Sequence, residues 1–295
     1  MSLRRSLWVA NLSNTSGRFR DHSLGVVKSL KKEIARDGNN AILDHLRVCG
    51  AVPEQYSPSS SEEKLYSKYT DAVVSVSFEA IGLSSMVIDA RADTADVQAR
   101  AQNFSLVADA KVFRLSRTAR NQKDFKVQSM DSWRNGLDYA IIVGPIYQFL
   151  SGNSQIYQQA IARNVCLLSF SHLACLVSLT EAKDKDSSEE LLHKLLKTVG
   201  VLHPGKSASD YWTAINHALV ESLPPEAGIW ESEKKLSLEG LQIAKDESLK
   251  HLTLARNRLL GLSRQEAIDE LLKRSTIDSS ILRVKNLQFG SLLER

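Results

Sequence analysis

Three strand-length runs, Ser85 to Ala90, Ala95 to Ala99 and Phe104 to Ala110, follow one another across short polar gaps, and they restrict the possible folds more than any other segment. Gaps that short join antiparallel neighbours, so the runs predict a meander in which the second strand lies beside the third. A helix precedes them: Ser61 opens it, Leu65, Tyr69, Ala72, Val73, Val76 and Ala80 form its apolar stripe, and Gly82 ends it. The polar stretch Arg117 to Trp133 reads as a loop leading into a second helix, and Tyr139 to Val143 as a buried strand stopped by Gly144 and Pro145. The core order is therefore α, β, β, β, α, β. Beyond it, Ser154 to Arg163 reads as a helix, Val165 to Phe170 as a strand and Ser171 to Leu179 as a helix. The N-terminal segment up to Cys49, interrupted at Gly38, and nearly everything after Ser187 read as helical, including a long polar helix around Ser232 to Leu260. The expected class is α/β, a mixed central sheet flanked by helices plus a largely helical C-terminal part, organised as regions 1–55, 56–180 and 181–295.

A chain of 295 residues with 43% hydrophobic content can bury one or two cores. No apolar run approaches the roughly 20 residues that cross a bilayer, and no apolar signal core follows the N-terminal arginines, so a cytoplasmic protein with no membrane partner is expected. Cys49, Cys166 and Cys175 are few and set among apolar residues, as suits reduced core thiols, and no zinc spacing is present. The net charge of +4 is unevenly placed: residues 1–36 carry +6, residues 111–126 carry +5 and the rest carries −7. That distribution suits a polyanionic partner met locally, and the Arg- and Ser-rich segment 1–20 reads as a basic arm lying on it.

Side chains alternate along a strand, so Asp109 and Lys111 leave the third run on one face. Acid-x-Lys also starts at Glu62, Asp124, Glu181 and Glu233, but only the Asp109 copy follows an apolar strand. A hard divalent cation takes oxygen ligands, which Asp109 and the Ala110 carbonyl supply, while Lys111 can orient or deprotonate a water beside a phosphodiester. A second acid is needed. Asp96, at the head of the neighbouring strand, is the first candidate; Asp89 is a more distant ligand or a partner for Arg91, Asp93 is a turn residue, and Glu63 can reach the site as an outer ligand. The scattered histidines exclude a two-His nuclease.

Arg114, Arg117, Arg120, Lys123 and Lys126 recur every three residues, a spacing that spirals around a helix rather than making one face. Among them Ser116, Asn121, Gln122 and Asp124 can hydrogen-bond base edges, so this segment is expected to hold DNA and read it. Asp124 can equally orient a neighbouring lysine or join the metal site.

Residues Val107 to Val127, headed by Asp109 and Lys111, closely resemble the HindIII-type restriction endonucleases of the PD-(D/E)xK nuclease superfamily. Supporting matches are PSSSEEKLYSK at 58–68, the stretch Arg91 to Val97, Trp133 with DYA at 138–140, SQI at 154–156 and, more weakly, SRQEAIDELLK at 263–273. The resemblance covers residues 46–175 well and fades on either side. It implies a restriction-endonuclease-like αβββαβ core and a homodimeric type II enzyme of a prokaryotic cytoplasm. That enzyme cuts double-stranded AAGCTT with Mg²⁺, Mn²⁺ being an accepted substitute, and leaves 5′ overhangs and 5′ phosphates. A cognate DNA methyltransferase is its functional counterpart without being a stable partner. By position, Asp109 and Lys111 match the catalytic acid and lysine, Asp96 the upstream metal acid and Asp124 a further catalytic acid. Ala95 stands where the superfamily has proline, which leaves the choice between Asp89 and Asp96 open. A structure-specific repair or junction nuclease of the same superfamily, and a non-catalytic DNA-binding protein, are the competing readings.

Overall fold

In the computed structural model, which describes residues 1–13, 19–88, 94–117, 122–275 and 277–285, the chain begins with α1 (Ser2–Ser13), α2 (Phe19–Asp37) and α3 (Asn39–Val48). Gly38, at φ +67°, separates the last two in a left-handed conformation that costs glycine little. Over residues 2–13 the segment expected to be a basic arm is a helix whose two arginines point inward. Arg4 pairs with Glu33, Asp37 and Asp44, and Arg5 is only 3% exposed, donating to the Val48 and Ala51 carbonyls and to Glu247. The compensating acids lie far along the chain, which is why the segment looks solvent-facing when read alone.

Ser60 caps α4 (Ser61–Ala80) by accepting from the Glu63 N–H, and Glu62 and Glu63 complement the helix dipole. From Tyr69 to Phe78 the helix is buried without interruption, because it lies between α2 and the sheet. The meander follows as β1 (Ser84–Val87), β2 (Val97–Arg100) and β3 (Ser105–Ala110), all antiparallel. β2 starts two residues later than its apolar run, although the Asp96 N–H already bonds the Ala108 carbonyl.

The segment after β3 makes α5 (Gln122–Phe125) and α6 (Val127–Trp133), broken at Lys126, which sits at φ +50°. β4 (Tyr139–Gly144) then adds parallel to β3; α7 (Gln155–Ala162) and β5 (Val165–Ser169), parallel to β4, complete a mixed sheet in the order β1-β2-β3-β4-β5. Its core includes fully buried Val73, Phe78, Leu106, Ile141 and Leu167, each worth about 1.5–3 kcal/mol by apolar burial. α8 (Phe170–Ala182) starts one residue earlier than its sequence suggests because Ser169 and His172 form a capping box with histidine in the position usually held by Glu or Gln.

α9 (Lys185–Val201), α10 (Ala208–Val220) and α11 (Ile229–Leu260) continue the helical part. The early turns of α11 dock on α3 through the Arg47–Glu233 ion pair at 2.7 Å and through Gly240, where an added Cβ would lie 2.4 Å from the Arg47 carbonyl oxygen. Gly240→Ala is therefore expected to lower stability by about 1–3 kcal/mol, read as an earlier urea midpoint; an unchanged midpoint would show that the helices separate freely. Contacts divide the chain into units at Met1–Ser248 and Leu249–Arg295, the latter holding the end of α11, α12 (Arg264–Ser275) and α13 (Ile277–Lys285). Among the described residues no helix is long and apolar enough to cross a membrane, and the three cysteines are buried and free.

Candidate active site

The β2–β3 register ends at Val97 opposite Ala108, and the Asp96 N–H bonds the same Ala108 carbonyl, so Asp96 sits just past the end of the ladder and lines one cavity with Asp109. The Lys111 N–H bonds the Val143 carbonyl, which prolongs the β3–β4 ladder past Ala110 and keeps Lys111 on the face of Asp109. The two side chains meet as an ion pair. Both open into a cavity of about 440 Å³ that is also lined by Lys68 and Asp71 of α4, by Asp96 and Ala110, and by Lys126 and Trp133. Lys68 bridges two of the acids, lying 3.0 Å from Asp71 and 3.5 Å from Asp96. Lys126 lies 5.6 Å from the centre of the Trp133 ring, and its left-handed backbone turns the chain at the cavity rim.

Asp109 and Asp71 resist ionisation. Burial pushes Asp109 up to about 7, with Lys111 pulling it down and Asp96 adding to the rise. Burial, then the charge of Asp96, raises Asp71 well above the usual carboxylate range. A buried cluster of like charges is relieved by a cation. Among the described residues no three His, Cys, Asp or Glu side chains enclose a metal, but Mg²⁺ keeps most of its waters and needs only one or two protein carboxylates, so the Asp96–Asp109 pair and the Ala110 backbone fit a hard divalent ion.

The raised Asp109 carboxyl has a consequence for stability. An unfolded aspartate titrates near 4, so between about pH 4 and pH 7 the folded chain keeps a proton that the unfolded chain releases, and stability held below that window is lost as pH rises through it. Asp109→Asn cannot titrate. With chelator present, its Tm relative to the parent chain is expected to climb by about 3 °C or more from pH 5 to pH 8; a difference independent of pH would contradict the burial of this charge.

The structure thus brings together Asp96, Asp109, Ala110, Lys111 and Lys126. It does not bring Asp124 or Glu63 to the cavity: Asp124 accepts from Arg117 at 2.8 Å, and Glu63 pairs with Arg114 at 2.7 Å. These ion pairs depend on where the 111–117 strand-to-turn segment folds back, which spacing alone does not reveal. Arg114 also donates to the Tyr56 carbonyl, and Ser116 bonds Glu54 through its N–H and hydroxyl, so both tie the segment to the loop before α4. Arg117 is 64% exposed. Gln122 and Lys123 belong to α5, their side chains lying outside the description, and Asp89, Arg91, Asp93, Arg120 and Asn121 lie outside the described residues. Asp71 was not singled out by the sequence reading. Its signal is an acid inside the run Tyr69 to Phe78, a helical stretch with no polar face to hold it.

The family model described as HindIII restriction endonuclease matches residues 5–288. The chain belongs to the HindIII restriction endonuclease family. The type II restriction enzyme HindIII of Haemophilus influenzae (strain Rd) is 34% identical over 272 residues, covering 88% of this chain and 89% of that protein. As a member of the HindIII family the chain is a type II site-specific deoxyribonuclease, and the Asp109 cavity lies inside the segment the HindIII model matches.

Proposed function

We propose that the chain is a Mg²⁺-dependent endonuclease that hydrolyses double-stranded DNA at AAGCTT, with the Asp96, Asp109 and Lys111 cavity as its catalytic centre. The observation that carries this reading is the cavity that Asp96, Asp109 and Lys111 line together, with Lys111 paired to Asp109. Asp96, Asp109 and the Ala110 carbonyl hold the ion, for which Mn²⁺ is an accepted substitute. The bound ion supplies charge neutralisation at the phosphate and lowers the pKa of a bound water. Lys111 orients the attacking water and stabilises charge developing on the phosphate oxygens. Lys126 at the rim adds a phosphate contact, and Arg117, Arg120, Asn121, Gln122 and Lys123 approach the duplex, with Arg114 and Ser116 fixing the segment that presents them. Asp124 acts through Arg117, by orienting it.

A palindromic target calls for a two-fold dimer. Supporting that reading, the Leu249–Arg295 unit exposes Leu249, Leu254, Leu260, Leu271, Leu282 and Val284. A cytoplasmic, prokaryotic setting and a companion DNA methyltransferase that protects the same sequence complete the proposal. The test is digestion of plasmid carrying one AAGCTT, with Mg²⁺ or with chelator. A single linear product that needs the metal is expected. Metal-independent cutting, or nicking that follows branched structures and ignores sequence, would overturn it.

A further inference from the structure

A second groove, of about 470 Å³, runs between α2, α4 and β1. Lys28 and Lys31 line it from one face of α2 and Lys68 from α4, while Leu24, Met86 and Ile88 supply apolar surface. Lys68 and Ile88 also line the Asp109 cavity, so the two spaces adjoin. Among the described residues no acid lines the groove. Lys31 does reach Glu79 at 2.7 Å, but both are at the surface, 51% and 35% exposed, and such a pair is weak enough in water to exchange for a phosphate. Met86 is 62% and Leu24 57% exposed, an apolar lining that suits the faces of deoxyribose between phosphates.

A strand whose phosphodiester enters the Asp109 cavity carries further phosphates on both sides of it, and those must lie against something. We propose that this groove holds the sugar-phosphate backbone flanking the cleaved bond, with Lys28 and Lys31 as its phosphate contacts; the proposal rests on the DNA-cleaving reading above. It also locates N-terminal positive charge that meets DNA on α2, since Arg4 and Arg5 are committed to internal partners.

Each phosphate contact contributes about 0.9 to the slope of log affinity against log salt. The full-length chain is titrated with a fluorescently labelled duplex containing the target and long flanks, in chelator, at several salt concentrations. Lys28→Ala/Lys31→Ala is expected to reduce the slope by about 1.8 and to weaken binding several-fold at low salt. Lys28→Arg/Lys31→Arg should keep the parent slope. Lys32 is the control: it is an exposed lysine of the same helix that does not line the groove, and Lys32→Ala should leave the slope close to the parent's. An unchanged slope in the double alanine variant, or an equal loss in Lys32→Ala, would overturn the groove while leaving the cleavage reading standing. A parent chain that binds no duplex in chelator would overturn the groove as a metal-independent contact, and the plasmid digestion above decides the cleavage reading separately.

Discussion

Asp109→Asn and Lys111→Met should each cut DNA at least about 10²- to 10³-fold more slowly than the parent while still binding a target duplex. The reason lies in where the two side chains sit. Asp109 is 3% exposed near the end of β3, where it pairs with Ile142 of β4, and Lys111 faces it from the first residue past that strand. Neither Asp109 nor Lys111 is on the basic segment that runs from Arg114 to Lys126, so loss of chemistry and loss of binding separate. Asp109→Asn keeps the volume and removes the charge that a divalent ion needs. Cleavage is measured on supercoiled plasmid and binding by anisotropy. Retained cutting by either variant would displace the catalytic centre from this cavity, and loss of binding equal to the loss of cutting would assign the pair to DNA contact.

Arg5→Met is expected to destabilise the protein by about 3 kcal/mol, the largest stability effect foreseen outside the apolar core. The guanidinium donates to the Val48 carbonyl at 2.7 Å, the Ala51 carbonyl at 3.0 Å and the Tyr66 hydroxyl at 3.1 Å, and pairs with Glu247 at 2.6 Å. Methionine fills similar space yet leaves a buried carbonyl and a carboxylate without a donor. Urea denaturation reads the loss as an earlier midpoint with an unchanged slope. A shift below about 0.5 kcal/mol, the range of ordinary surface substitutions, would mean that Arg5 is an exposed arm residue after all.

Arg5 also shows where the sequence stops being informative. Its charge balance depends on Glu247, 242 residues away, and an arginine in an Arg- and Ser-rich segment carries no local mark of burial. The strands were legible because period and length are local: alternation puts Asp109 and Lys111 on one face, and short gaps force a meander that brings Asp96 to the cavity of Asp109. Strand ends were less legible, since Asp96 joins the ladder by its N–H while its side chain faces the cavity. Asp71 was invisible for the opposite reason to Arg5: α4 is buried on nearly all sides, so the apolar stripe that located the helix did not mark the face toward the site. Glu63 and Asp124 were placed near the site by sequence proximity, yet each has an arginine partner supplied by the fold-back of residues 111–117.

Sequencing the ends of every fragment released from a DNA library of random sequence, incubated with the full-length chain and Mg²⁺, measures sequence reading and bond choice together. Cuts confined to one six-base palindrome, AAGCTT, each leaving a 5′ phosphate and a 5′ overhang and all absent from the Asp109→Asn digest, are the expected result. Ends scattered over unrelated sequences, or the same cuts persisting in Asp109→Asn, would contradict a site-specific nuclease centred on the Asp96, Asp109 and Lys111 cavity.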